Sequence, residues 1–172
     1  SGGAEVLSNW VKNDNTNNYK FSLKGPAINI FRKNIRNLLL TETEEAFNWA
    51  DEIFCSTSYY SSFEKKILIK SKKLEKRVVS FLDHWSYYKE RFTYKGELHL
   101  PDEIRVGDVY AKEIAEGLFK NTNIKLIRNP YVDNIVKKIN SKKIVNFSSK
   151  SFLLYLGSSW REKDFRYDQE TK

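Results

Sequence analysis

Apolar side chains recur along the chain with two different periods, and the alternation between them predicts strands separated by helices. Val6, Leu7, Trp10 and Val11 fall at helical spacing, and the asparagine-rich stretch 13–18 breaks that pattern as a surface loop. Tyr19, Phe21 and Leu23 then alternate with polar residues, a strand pattern that runs into a tight turn at Gly25-Pro26. Ala27, Ile28, Ile30 and Phe31 predict a helix with Pro26 in its first turn, where a missing N–H costs nothing. Residues 33–40 fit either a continuation of that helix or the next strand. Thr41 followed by Glu44 is a capping-box pattern that would open a helix through Ala46, Phe47 and Ala50.

Residues 53–55 predict a short strand that ends in the hydroxyl-rich Ser56-Thr57-Ser58. Residues 62–76 form an amphipathic helical pattern, with Phe63, Ile67 and Leu74 apolar and lysines elsewhere. Val78, Val79, Phe81 and Leu82 read as a strand buried on both faces of a parallel sheet. Strand, turn, helix and strand in this order make a βαβ unit with a right-handed crossover. A loop over 98–102 and a strand over 103–106 come next. The following helix spans 109–119, with Ala111, Ile114, Ala115 and Leu118 inward. A strand over 123–127 ends at Arg128-Asn129-Pro130, and Tyr131, Ile135, Val136 and Ile139 carry the next helix. The fold class expected is α/β, with a mainly parallel sheet of about five or six strands. Residues 151–157 read as a further strand. Residues 1–150 would then be one domain, and 151–172 the start of a second domain or a returning strand and tail, as in a piece of a longer protein.

With 172 residues the chain has room for one sizeable core. The formal charge of +8 comes from lysines spread along its length, which suits nucleotides, phosphates or peripheral membrane association with an anionic surface. Nucleic acid is disfavoured, because no arginine-rich tract or aromatic–basic motif accompanies the charge. The single cysteine, Cys55, cannot form an internal disulfide and suits a reducing, cytoplasmic location, where it reads as a small buried hydrophobe. No stretch is long and apolar enough to cross a membrane. Ser1-Gly2-Gly3 reads either as a vector remnant or as a native glycine turn. With two histidines in the chain, a histidine-based metal site is not expected.

Open α/β sheets bind ligands beyond the carboxyl ends of their strands, which singles out Asp83-His84-Trp85. Asp83 would orient His84 for general-base work. Alternatively both bond to loop backbone while Trp85 packs over the sheet edge. The hydroxyls of Ser56, Thr57 and Ser58 precede a helix, where they suit a phosphate or sugar hydroxyl. Ordinary capping by Ser61 or Ser62 is the competing reading. Glu64 in the first turn complements the helix dipole. Gly25 belongs to a tight turn, not to a G-x-G-x-x-G dinucleotide fingerprint. Arg91, Asp102, Arg105, Arg128 and Asn129 lie on or beside loops, as phosphate ligands or turn stabilisers.

The order of several short motifs resembles a known family. Gly25-Pro26-Ala27, Ala50-Asp51, Ser56-Thr57-Ser58-Tyr59 with Glu64, Phe81-Leu82-Asp83-His84-Trp85, Tyr88 with Arg91-Phe92, Leu100-Pro101-Asp102-Glu103-Ile104 and Asn129-Pro130-Tyr131 occur together. Their arrangement is similar to the N-terminal half of bacterial glycosyltransferase-like proteins of the two-Rossmann-domain (GT-B) type from surface-polysaccharide gene clusters. The resemblance covers the chain from about Gly25 onward. It implies a three-layer Rossmann- or flavodoxin-like domain on the acceptor side of a cleft, with a nucleotide-sugar donor held mostly by a C-terminal domain. It implies a carbohydrate acceptor and no cofactor or metal. His84 would be the base and Asp83 its orienting partner, while Gly25, Ser56, Thr57, Ser58, Glu64, Trp85, Arg91 and Asn129 would contact ligand. A nucleotide-sugar epimerase of the same architecture and a non-catalytic carbohydrate-binding or assembly module are the alternatives.

Overall fold

The computed structural model describes residues 2–141. The chain proceeds as α1 (Gly2–Asn13), α2 (Pro26–Asn34), α3 (Thr43–Trp49), β1 (Glu52–Ser56), α4 (Phe63–Lys73), β2 (Arg77–Leu82) and α5 (Tyr88–Phe92). It continues as β3 (Thr93–Tyr94), β4 (Glu97–Leu98), β5 (Glu103–Val106), α6 (Val109–Leu118), β6 (Asn123–Leu126) and α7 (Pro130–Asn140). Four strands form a parallel sheet in the order β1-β2-β5-β6, and β3 and β4 pair separately as an antiparallel hairpin.

The period-2 pattern of β2 explains the layering. Val78 and Leu82 point into one core with Leu68 of α4, Ile104 and Val106 of β5, and Ala111 and Ala115 of α6. Phe81 points into the other with Ala4, Val6 and Leu7 of α1 and Phe31 of α2. Helices thus cover both faces in a three-layer, Rossmann-like α/β arrangement, and the strands between them are apolar on both sides as parallel sheets require. Burying a side chain such as Phe81 is worth about 1.5–3 kcal/mol, so each face contributes.

Several elements depart from the sequence-based expectations. The sheet has four strands among the described residues, not five or six. Residues 19–23 make only an isolated parallel bridge, Phe21 to Leu40, so the alternating pattern there lacks the partner a full ladder needs. That bridge also settles residues 33–40: the helix stops at Asn34, Ile35 is extended, and the chain returns to Phe21. The capping box at Thr41 does not form. The Thr41 amide donates to the Phe21 carbonyl at 2.8 Å, and Glu42 precedes α3 without a side-chain cap. Ile114 and Leu118 of α6 are outward, leaving Ala111 and Ala115 inward, because small residues let the helix approach the sheet closely. Leu74 is exposed at the end of α4. Leu98 belongs to the hairpin, whose turn residues Lys95 and Gly96 both have positive φ as a type I′ turn needs. The expected strand at 151–157 lies outside the described residues.

Candidate functional site

The strands point their carboxyl ends at one edge of the sheet, and the turns that follow them carry most of the expected site residues. Asp83 follows β2, and its carboxylate lies 3.5 Å from the Arg91 guanidinium of α5. Both side chains are nearly enclosed, at 13% and 10% exposure for Asp83 and Arg91. Arg91 also donates through Nε to the Ser86 carbonyl (3.0 Å) and through a terminal nitrogen to Thr57 Oγ1 (3.4 Å). One guanidinium therefore ties the turn after β1 to the turn after β2. Asp83 Oδ1 is buried and accepts no hydrogen bond, a state that buried acceptors rarely occupy.

Gly2 and Gly3, in the first turn of α1, complete this corner. A Cβ on Gly2 would collide with Asp83 Oδ2, and one on Gly3 with Ser56 Cβ. The Asp83 carboxylate thus sits over the amino end of α1, where the helix dipole favours a negative charge. The sequence signal was the glycine pair ahead of a helical pattern; its contacts with strand ends far along the chain were not visible there.

His84 and Trp85 are solvent-exposed on the same turn. His84 Nδ1 accepts the Ser86 amide (3.3 Å) and lies 2.9 Å from Ser86 Oγ. Trp85 is 65% exposed, and its Nε1 donates to Asp108 Oδ2 at 2.9 Å, so the indole leans toward the turn after β5. Asp108 meanwhile caps α6 through its other oxygen, accepting from the Ala111 amide.

The remaining expected residues separate. Ser58 Oγ accepts from the Ser61 amide and Ser61 Oγ from the Phe63 amide, so these hydroxyls shape the turn before α4. Asn129 caps α7 through bonds from the Tyr131 and Val132 amides. Gly25 has φ +56 and open space where a Cβ would be, so its turn conformation requires glycine and close packing does not. Ser56 and Glu64 face a cleft along β1, and Glu64 Oε2 is buried without a hydrogen bond. Asp102 works at the opposite end of the sheet, accepting from the Val78 amide at 2.7 Å.

The sequence assigns no role of its own to two further groups near this edge. Tyr59 packs against Tyr60 and Tyr87, with ring centroids 4.8 and 4.6 Å away. Lys65 Nζ donates to the Tyr59 carbonyl at 3.3 Å, and burial pushes its pKa below the usual lysine value. Among the described residues no group of three or more histidine, cysteine, aspartate or glutamate side chains is arranged to hold a metal ion, and no helix is long and apolar enough to cross a membrane. The fold and this edge define an α/β domain of Rossmann-like layering. Comparison with protein-family models, curated proteins and solved structures gave no match to the chain.

Proposed function

We propose that the chain is a domain of a nucleotide-sugar-dependent glycosyltransferase of polysaccharide or glycoconjugate biosynthesis, binding a carbohydrate acceptor at the carboxyl edge of its sheet. The supporting observation is Asp83: a carboxylate at a strand end whose buried Oδ1 faces the Arg91 guanidinium at 3.5 Å and accepts no hydrogen bond. A sugar hydroxyl supplies the missing donor, and a carboxylate that receives it is placed to take its proton during transfer. The tyrosine cluster at Tyr59, Tyr60 and Tyr87 joins the turns after β1 and β2, and Thr57 and Ser56 add hydroxyls. The motif order described above adds the same reading independently.

Within this reading we give Asp83 and His84 different parts. His84 Nδ1 is taken up by the Ser86 amide and lies beside Ser86 Oγ. Asp83 is the better candidate for contact with the acceptor hydroxyl, and His84 a neighbour that orients or shields it. The test is transfer from a nucleotide-sugar to a glycan acceptor by the intact protein, read as nucleoside diphosphate release. Asp83→Asn should slow transfer by about 10²–10⁴-fold, with circular dichroism unchanged, and His84→Ala by less. Full transfer by Asp83→Asn would sink the assignment. Isomerised donor formed without acceptor would point to an epimerase, and glycan binding without release of nucleotide to a non-catalytic module.

A further inference from the structure

Trp85 stands on the turn after β2, in the same turn as Asp83, and is 65% exposed. Tryptophan is on average among the more buried residues of a fold. Trp10 and Trp49 have cover of their own: Trp10 lies against Phe54 and the Arg105 guanidinium, and Trp49 under the Lys20 ammonium. Trp85 has the His84 ring beside it, with centroids 6.5 Å apart and planes inclined at 55°, and most of the indole stays open.

The polar atom of that indole is nevertheless fixed. Nε1 donates to Asp108 Oδ2 at 2.9 Å, while Asp108 Oδ1 accepts from the Ala111 amide at 2.8 Å. Asp108 is the N-cap of α6, so one carboxylate ties the indole to the start of a helix. The bond runs from the turn after β2 to the turn after β5. The turn is also held at its far end. Tyr87 has φ +57, a left-handed conformation that is costly for an aromatic residue, and its ring packs on Tyr59 with centroids 4.6 Å apart. Trp85 is thus an open aromatic surface whose orientation is set by the fold.

We propose that Trp85 is a stacking platform for an uncharged pyranose ring, with Asp108 as the residue that positions it. The proposal rests on the acceptor reading above and names the sugars this edge takes. A pyranose presents an apolar C–H face and a rim of hydroxyls. The indole matches the face, and Asp83 Oδ1, which accepts no hydrogen bond, can take one from the rim. A wholly apolar ligand would leave that oxygen unpaired. Asp83 shares the turn with Trp85 and Asp108 is bonded to it, so a sugar acid or sugar phosphate would bring like charge to two carboxylates and be rejected.

The experiment follows the Trp85 indole N–H cross-peak in proton–nitrogen correlation spectra of the whole chain, assigned by its loss in Trp85→Phe. Methyl β-galactopyranoside and cellotetraose should shift it saturably, and glucuronate should need about tenfold more for the same shift. Asp108→Asn keeps a good cap and one acceptor oxygen, so the melting temperature should hold while the indole loses its partner. The sugar midpoint should then rise about threefold. In the intact protein, Trp85→Ala should raise KM for a glycan acceptor about tenfold and leave kcat within about twofold. No shift by either sugar at its solubility limit overturns the proposal, as does an equal midpoint for glucuronate or an unchanged one in Asp108→Asn. A shift by choline at lower concentration than by sugar overturns it too, by assigning the ring to a cation. Absence of transfer by the parent protein counts against the glycosyltransferase reading, while the cross-peak, read without turnover, still decides the platform.

Discussion

The Cys55 thiol lies 3.2 Å from Ser80 Oγ, against the core beneath β2. Burial first, and then the charge of Glu64, push its pKa up to about 12 in spite of the Ser80 hydrogen bond. The thiolate is the reactive form, so at pH 8 its fraction should be about a thousandfold below that of an ordinary cysteine. Alkylation by iodoacetamide should therefore be slow in the folded chain and recover to the free-thiol rate in urea; equal rates in both would contradict the burial. The hydrophobic role of Cys55 was legible from its place in an apolar run. The pairing of Asp83 with Arg91 was not, because it joins the turn after β2 to a residue of the next helix, a contact that local pattern does not specify. Likewise the Ser58 hydroxyl looked available in sequence, and only the turn geometry shows that the Ser61 amide occupies it.

At the scale of elements, Glu103 at the start of β5 holds the amino ends of three strands together. Its buried carboxylate receives Arg77 of β2 (2.9 Å), Arg105 of its own strand (2.7 Å) and Lys125 of β6 (2.8 Å). Burial alone would raise its pKa, but the bonds from Lys125 and Arg105 and their charges outweigh it and hold the group below the ordinary carboxylate value. A lowered folded pKa gives stability that is present above the unfolded value and lost as pH falls through the folded one. Glu103→Gln should cost about 3 kcal/mol at pH 7 in urea unfolding. The difference from the parent should shrink as pH drops below the carboxylate range; a constant difference would assign the cost to packing. The strands and helices were readable from period because burial imposes period, and β2 followed it closely, whereas Ile135, Val136 and Ile139 of α7 are exposed. The segment 19–23 showed the same alternation without a ladder, since pairing depends on a neighbour that local pattern does not specify.

For the whole molecule, the alternation of strand and helix carried the α/β class, whereas strand order and the convergence of α1 on Ser56 and Asp83 depend on long-range contacts. The charge of +8 is likewise a property of the whole chain. If it supports peripheral attachment at the inner face of a membrane, sedimentation with anionic phosphatidylserine vesicles should fall steeply once salt shortens the Debye length to about 8 Å or less. Binding that ignores salt would exclude attachment by charge. Arg91 has a wider consequence as well. By gripping the Ser86 carbonyl, Thr57 and Asp83 together, it makes two separate turns behave mechanically as one body. A guest arriving at that edge meets a surface whose conformational freedom has already been spent during folding, so less entropy is lost on binding and more of each contact is expressed as affinity.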